Sequence, residues 1–225
     1  MAKRIGGSDY DEGYSITVDI AGNIYTTGCF SQSSDFDPGT GTYYLNAAGG
    51  KDIFISKLNS LGNFVWARQF GGSSDDVGNS ITVDASGNIY FTGYFQGTAD
   101  FNPGPATFNL TSSGDYDVFV CKISSSGNLI WARQIGGNSE DVGNSIAIDT
   151  AGNVYTTGYF QGTADFNPGT GTYYLSTPGG NNIFISKLDP SGNYIWAEQL
   201  GDGTIAKANS IAYNNSGYIY ITGSF

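Results

Sequence analysis

The sequence contains no histidine, which removes the commonest general base and the commonest zinc ligand together. Cations are scarce: Lys+Arg total 9 against 20 Asp+Glu, a net charge of −11. A nucleic-acid backbone or an anionic membrane surface would be repelled, so no nucleic acid is expected as a partner. No apolar run of membrane length and no signal peptide is present, and no membrane insertion is expected. There are only 2 cysteines, Cys29 and Cys121. They fall at unrelated places in the pattern described next, so a disulfide repeated through the chain is excluded. Two buried or half-buried free thiols are expected instead.

What the chain has is glycine (34) and tyrosine (16), the composition of short strands joined by many turns. It also has a period. Gly71 to Ile135 maps onto Gly6 to Phe70 and onto Gly136 to Leu200 when shifted by 65 positions, with Trp66, Trp131 and Trp196 in step. The string GYFQGTADFNPG at Gly93–Gly104 recurs unchanged at Gly158–Gly169. A period of this size marks an array of like supersecondary units. The units are 6–70, 71–135 and 136–200, followed by half a unit at 201–225.

Within one unit the pattern predicts four strands: Ser80–Asp84, Asn88–Gly93, Asp117–Ile123 and Asn128–Ile135. Short Gly-Asn links join the first to the second (DASGN) and the third to the fourth (SSSGN), with glycine supplying positive φ. The link between strands two and three is long, with room for small extra strands such as Thr172–Leu175. Neither side of the strands is clearly polar, as expected of small sheets packed between two others. The fold class is all-β, a β-propeller of four-stranded antiparallel blades, about three and a half per chain.

The strings GNSIAIDTAGNVYTTG and NNIFISKLDPSGNYIWAEQLG resemble the bacterial SBBP-type β-propeller repeats and, more loosely, NHL-type blades. The resemblance covers essentially the whole chain. It implies a propeller with the IAID-like strand innermost and the Trp strand outermost. It implies little about activity, because such repeats occur as scaffold or binding modules of extracellular and cell-surface proteins.

Antiparallel order puts the links after strands two and four on one face and the tight Gly-Asn turns on the other. The long-link face would carry 15 of the 20 acids, among them Asp9, Asp11, Glu12, Asp52, Asp75, Asp76, Asp115, Asp117, Glu140, Asp141 and Asp202. This acidic face is the functional candidate. The tight-turn face keeps Asp19, Asp84, Asp149 and Asp189, and Glu198 lies on a strand. Asp35-Phe-Asp37-Pro-Gly, with Asp100/Asn102 and Asp165/Asn167 in the next units, offers hard oxygen ligands two residues apart. Either calcium is bound there, or each carboxylate caps its own backbone as an Asx turn. Paired acids in glycoside hydrolysis are a remote alternative, because these acids recur in every unit. Tyr94, Phe95 and Phe101, with Tyr159, Phe160 and Phe166, could bind a glycan or a protein if exposed, or pack between units if not. Trp66, Trp131 and Trp196 are expected in the core. Lys57, Lys122 and Lys187, and Lys3, Arg68 and Arg133, are expected to offset neighbouring acids or to guard the outer edge strand.

The chain holds three units plus a remainder in which Trp196–Phe225 repeats the phase of Met1–Phe30. Closed propellers need about 4–8 blades, so self-association is expected: a homodimer joined head to tail into one ring. The expected function is a non-enzymatic module for binding or assembly. The alternative is a carbohydrate-binding, lectin-like propeller, calcium-dependent or not.

Overall fold

Alternation of β-branched and aromatic residues with small or polar ones favours extended backbone, and the chain adopts it throughout. The computed structural model describes residues 4–201, 205–214 and 216–224. The expectations for Lys3, for Asp202 and for the extreme ends (Met1, Ala2, Phe225) lie outside the described residues.

Every regular element among the described residues is a strand. The first unit holds β1 (Asp11–Val18), β2 (Ile24–Asp35), β3 (Tyr44–Leu58) and β4 (Phe64–Gly72). The second holds β5 (Val77–Val83), β6 (Ile89–Phe95), β7 (Thr98–Asp100), β8 (Asn109–Thr111), β9 (Asp117–Ile123) and β10 (Leu129–Gly137). The third holds β11 (Val142–Ile148), β12 (Val154–Asp165), β13 (Tyr174–Leu188) and β14 (Tyr194–Leu200). β15 (Lys207–Tyr213) and β16 (Ile219–Ser224) begin a fourth.

Pairing is antiparallel and follows the chain: β1-β2-β3-β4, then β5-β6-β9-β10, then β11-β12-β13-β14. The long link folds into a hairpin of its own. It is separate as β7-β8 in the second unit and continuous with the main strands elsewhere. That hairpin also reaches the preceding unit, where Gly71 pairs with Asp100 and Gly136 with Asp165. Gly6 bridges Asp35 in the same way. Consecutive units are therefore stitched by backbone hydrogen bonds, which the repeat pattern did not reveal.

Four of the tight turns on the opposite face are held by one aspartate each, and Asn59, Ser124 and Asn214 take that place in others. Asp149 Oδ1 accepts from the backbone N–H of Ala151 (3.0 Å) and Asn153 (2.8 Å). Its Oδ2 accepts from Asn153 Nδ2 (2.7 Å) and the Tyr155 hydroxyl (3.1 Å). Partial burial pushes this carboxyl up, but the hydrogen bonds from Asn153, Tyr155 and Ala151 outweigh it and hold it below the ordinary carboxylate range.

The core lies between units. Tyr25, Ile55 and Phe70 of the first meet Ile81, Phe91 and Phe119 of the second. Tyr90, Val120 and Trp131 of the second meet Ile146, Phe166 and Phe184 of the third. Trp66 Nε1 donates to the Ser125 carbonyl (3.3 Å) and Trp131 Nε1 to the Pro190 carbonyl (3.1 Å), each in the third-to-fourth-strand turn of the next unit. Trp196 meets no such turn among the described residues and is half-buried, a departure from the core position expected. The recurring cations act at the same seam. Lys57 and Lys122 reach the carbonyls of Ser125 (3.3 Å) and Pro190 (3.4 Å). Arg133 lies over the Trp131 ring and donates to the carbonyls of Gly192 (2.9 Å) and Ser191 (3.0 Å). These side chains clamp the following turn, where offsetting of acids or protection of an edge was expected. Cys29 and Cys121 are buried free thiols.

Candidate functional site

The long-link face divides into three kinds of place. The first is the Asp-Phe-x-Pro-Gly loop. Asp100 Oδ1 accepts from the N–H of Asn102 (2.8 Å) and of Phe108 (2.8 Å), while Asn102 Oδ1 accepts from Gly104 N–H (2.9 Å). Asp165 and Asn167 repeat these bonds, as do Asp35 and Asp37. Each loop is thus a pair of nested Asx turns closed by its own side chains. Calcium takes 6–8 oxygens in one cage. Here each carboxylate oxygen Oδ1 is already engaged by N–H groups, and no cluster of three or more acidic, cysteine or histidine side chains forms among the described residues.

The phenylalanine of each loop points inward. Phe101 packs edge-on against Phe95 (5.6 Å between ring centres), Phe166 against Phe160 (5.3 Å) and Phe36 against Phe30 (5.4 Å). Phe95, Phe101, Phe160 and Phe166 are fully buried, Tyr159 is buried, and Tyr94 is half-buried against Tyr116. Of the two readings open for these six positions, burial favours packing at five, and Tyr94 is half-buried. Their apolar rings close the gap between units, as the packing alternative required.

The second place is a buried pair of aspartates at each of two junctions. Asp52, Asp76, Asp117 and Asp141, read from the sequence as surface acids, are all buried. Asp76 Oδ2 accepts from Gly72 N–H (2.7 Å) and its Oδ1 from Gln96 N–H (3.2 Å). Asp52 Oδ2 accepts from Ala48 N–H (3.1 Å) and Gln69 Nε2 (2.6 Å). Asp52 Oδ1 and its equivalent Asp117 Oδ1 are buried and have no hydrogen-bond partner. Burial pushes Asp76 up to about 7 against its bonds to Gly72 and Gln96, and the neighbouring Asp52 adds to the rise. Asp141 is likewise pushed up to about 7 and Asp52 to about 6, in both cases chiefly by burial.

The third place is a polar groove repeated at the same two junctions. One, of about 380 Å³, is lined by Tyr43, Arg68, Gln69, Asp100 and Asn102. The other, of about 360 Å³, is lined by Phe108, Arg133, Gln134, Asp165 and Asn167. Tyr43, Phe108 and Tyr173 are exposed at equivalent positions on this face, where Tyr10, Tyr44 and Tyr174 are exposed as well. Each of the first three stands eight residues after the loop aspartate, which caps its N–H. That spacing was visible in the sequence but carried no weight without the groove.

The family model for the SBBP β-propeller repeat matches residues 2–28, 65–101 and 130–166. The chain is 32% identical over 199 residues to an uncharacterized WD repeat-containing protein of Acanthamoeba polyphaga mimivirus; the match covers 77% of this chain and 14% of that protein. It is 25% identical over 172 residues to the regulatory protein FlaEY of Caulobacter vibrioides, covering 75% of this chain and 18% of that one. The chain thus spans less than a fifth of either relative. Among solved structures, the Neurospora crassa Pan2 WD40 domain matches with a TM-score of 0.28 at 10% identity, over 94% of this chain and 89% of that one.

Proposed function

Since this chain carries SBBP-type β-propeller repeats, we propose that it is a non-enzymatic propeller module for binding and assembly, three four-stranded blades and half of a fourth. In this reading its two open flanks join head to tail with a second copy. The observation that carries it is a contrast between equivalent positions. Ile81, Ile146 and Ile211 are 5%, 5% and 6% exposed because the preceding unit covers them, whereas Ile16 is 67% exposed. At the other end Tyr220 is 58% exposed where Tyr25, Tyr90 and Tyr155 are 0%, 1% and 4%.

The groups that join interior units are available at both ends. Ile81 N–H donates to Ser15 Oγ (3.3 Å), and Ile146 N–H to Ser80 Oγ (3.3 Å). Asn79 Nδ2 donates to the Gly143 carbonyl (2.9 Å) and Asn144 Nδ2 to the Ala208 carbonyl (2.8 Å). Asn209 and Ser210 stand exposed at one end, and Gly13 and Ile16 at the other. One copy's innermost strand can therefore repeat the seam with the next copy. Beside Ile16 lies an apolar recess of about 520 Å³, lined by Ile5, Ile24, Phe36, Phe54 and Leu58, which in this reading receives the second copy. Light scattering at micromolar concentration should give twice 23.7 kDa, and Ile16→Asp should return the monomer with unchanged circular dichroism. A stable wild-type monomer would sink the reading.

A carbohydrate-binding function is the second reading, favoured by the repeated grooves and not by the aromatics first considered. Tyr43 and Phe108 would stack on sugar faces beside Asp100/Asn102 and Asp165/Asn167. A glycan array should then show binding that Tyr43→Ala with Phe108→Ala removes; an unchanged array leaves assembly alone.

A further inference from the structure

We propose that each junction between consecutive full repeats stores one proton, shared between two buried aspartates: Asp52 with Asp76, and Asp117 with Asp141. The pair spans two units, since Asp52 lies on β3 and Asp76 on the link into β5. Both surround the α-carbon of Gly71. A side-chain carbon built there would lie 2.8 Å from Asp52 Cγ and Asp76 Oδ2, and 2.9 Å from Asp52 Oδ1. At Gly136 the same point lies 2.5 Å from Asp117 Cγ and 2.9 Å from Asp117 Oδ1. Glycine is therefore required at Gly71 for the two carboxyls to share this space, and at Gly136 to leave room for Asp117.

Two buried carboxylates cannot both stay ionised at this range without a counter-charge. The oxygens show where it goes. Three of the four in the first pair accept N–H bonds, leaving Asp52 Oδ1 without a donor. A proton on Asp52 Oδ1 leaves the pair with one negative charge. A metal ion fits less well, because one open oxygen per pair falls far short of an oxygen cage. The groups around the pair do not replace the proton. Asp75, next to Asp76, accepts from Lys51 N–H (3.0 Å), and the Lys51 ammonium lies over the Tyr10 ring. At the second pair, Glu140 is engaged by the Tyr159 hydroxyl, and Lys207 lies over the Tyr159 ring.

The third junction supports the assignment from within the chain. There Asn182 and Ala206 take the two places, 2.9 Å and 3.1 Å from the corresponding point on Gly201. Both acids are replaced together, which removes the need for the proton.

The sign follows from linkage. The folded pair holds a proton at pH values where unfolded aspartates, with a pKa of about 3.9, have lost theirs. Its contribution is present at acid pH and is lost as pH rises toward the folded value near 7. Between pH 5 and 7 the folding equilibrium constant, from chemical denaturation, should fall by up to about tenfold per pH unit for each pair. It should level off above pH 7. Asp52→Asn with Asp117→Asn supplies a permanent N–H donor in place of the proton and should flatten this slope. Equal slopes in both proteins would overturn the proposal, and so would calcium or sodium restoring wild-type stability at pH 8. Should the double variant fail to fold, infrared spectra of the wild type decide. A protonated carboxyl band at pH 6 that disappears by pH 9 is expected, and its absence at pH 6 overturns the shared proton.

Discussion

Replacing Gly93 by alanine should destabilise the fold by about 3 kcal/mol or more, a large share of the ~5–15 kcal/mol that domains possess. Gly93 lies in β6 opposite Gly78 of β5, where the register shifts between Gly78 and Ser80. That bulge brings the backbone of β5 against the α-carbon of Gly93. An added side-chain carbon would overlap the Val77 carbonyl oxygen, 2.9 Å from the Val77 carbonyl carbon and 3.1 Å from the Asn79 nitrogen. Backbone atoms pinned in a ladder cannot turn aside as a flexible side chain can. Gly28 meets Glu12 and Gly158 meets Val142 in the same way, so the three sites should behave alike. Gly104→Ala, at an exposed loop tip with the nearest atom a side-chain oxygen at 3.1 Å, should change the urea midpoint little. A Gly93→Ala protein with an unshifted midpoint would refute this account of the bulge.

The second large effect is at Trp131. Its ring is buried between the second and third units, lies across Tyr90 (6.3 Å between centres) and donates to the Pro190 carbonyl at 3.1 Å. Trp131→Ala should cost about 3–5 kcal/mol, through lost burial and the cavity left behind. Trp131→Phe keeps most of the apolar contact and should cost nearer ~1 kcal/mol, the net worth of one hydrogen bond, with some lost packing added. Trp196 is the internal control. It holds the same place in its strand but is half-buried, with Tyr155 beside it at 6.3 Å. Trp196→Ala should be clearly milder, read from denaturation midpoints measured at one protein concentration. Equal costs at the two tryptophans would mean that the ring matters to its own unit and not to the seam between units.

Strand content, turn positions and the repeat were determined by the sequence alone, because each depends on neighbours a few residues apart. Period-two alternation selects the pleated backbone. Asp84-Ala-Ser-Gly-Asn88 closes a turn by itself, with Gly87 at a φ of 80° and the Asp84 side chain accepting the N–H of Ser86 and Asn88. The choice between a capped turn and a calcium ligand in Asp-Phe-x-Pro-Gly was also local in principle, but it turned on which N–H groups point at Asp100 Oδ1. The N–H of Phe108, eight residues on, needed the folded hairpin to bring it there.

Burial was decided by tertiary structure. An aspartate reads as a surface residue because desolvating a charge is costly, and for Asp35, Asp75 and Asp100 that reading matches their partial exposure. Asp52 and Asp76 carry the same letter and lie inside, because stacking one unit on the next places β3 of the first against the link entering β5. There the cost of burial is offset by four N–H donors and, as proposed, by a proton. The aromatics of the long link show the same division from the apolar side. Phe101 and Phe108 lie seven residues apart in one loop, yet the first is buried against Phe95 and Phe119 while the second is exposed beside a polar groove. Hydrophobicity is equal at the two positions, and only the folding of the long link back onto the strands distinguishes them.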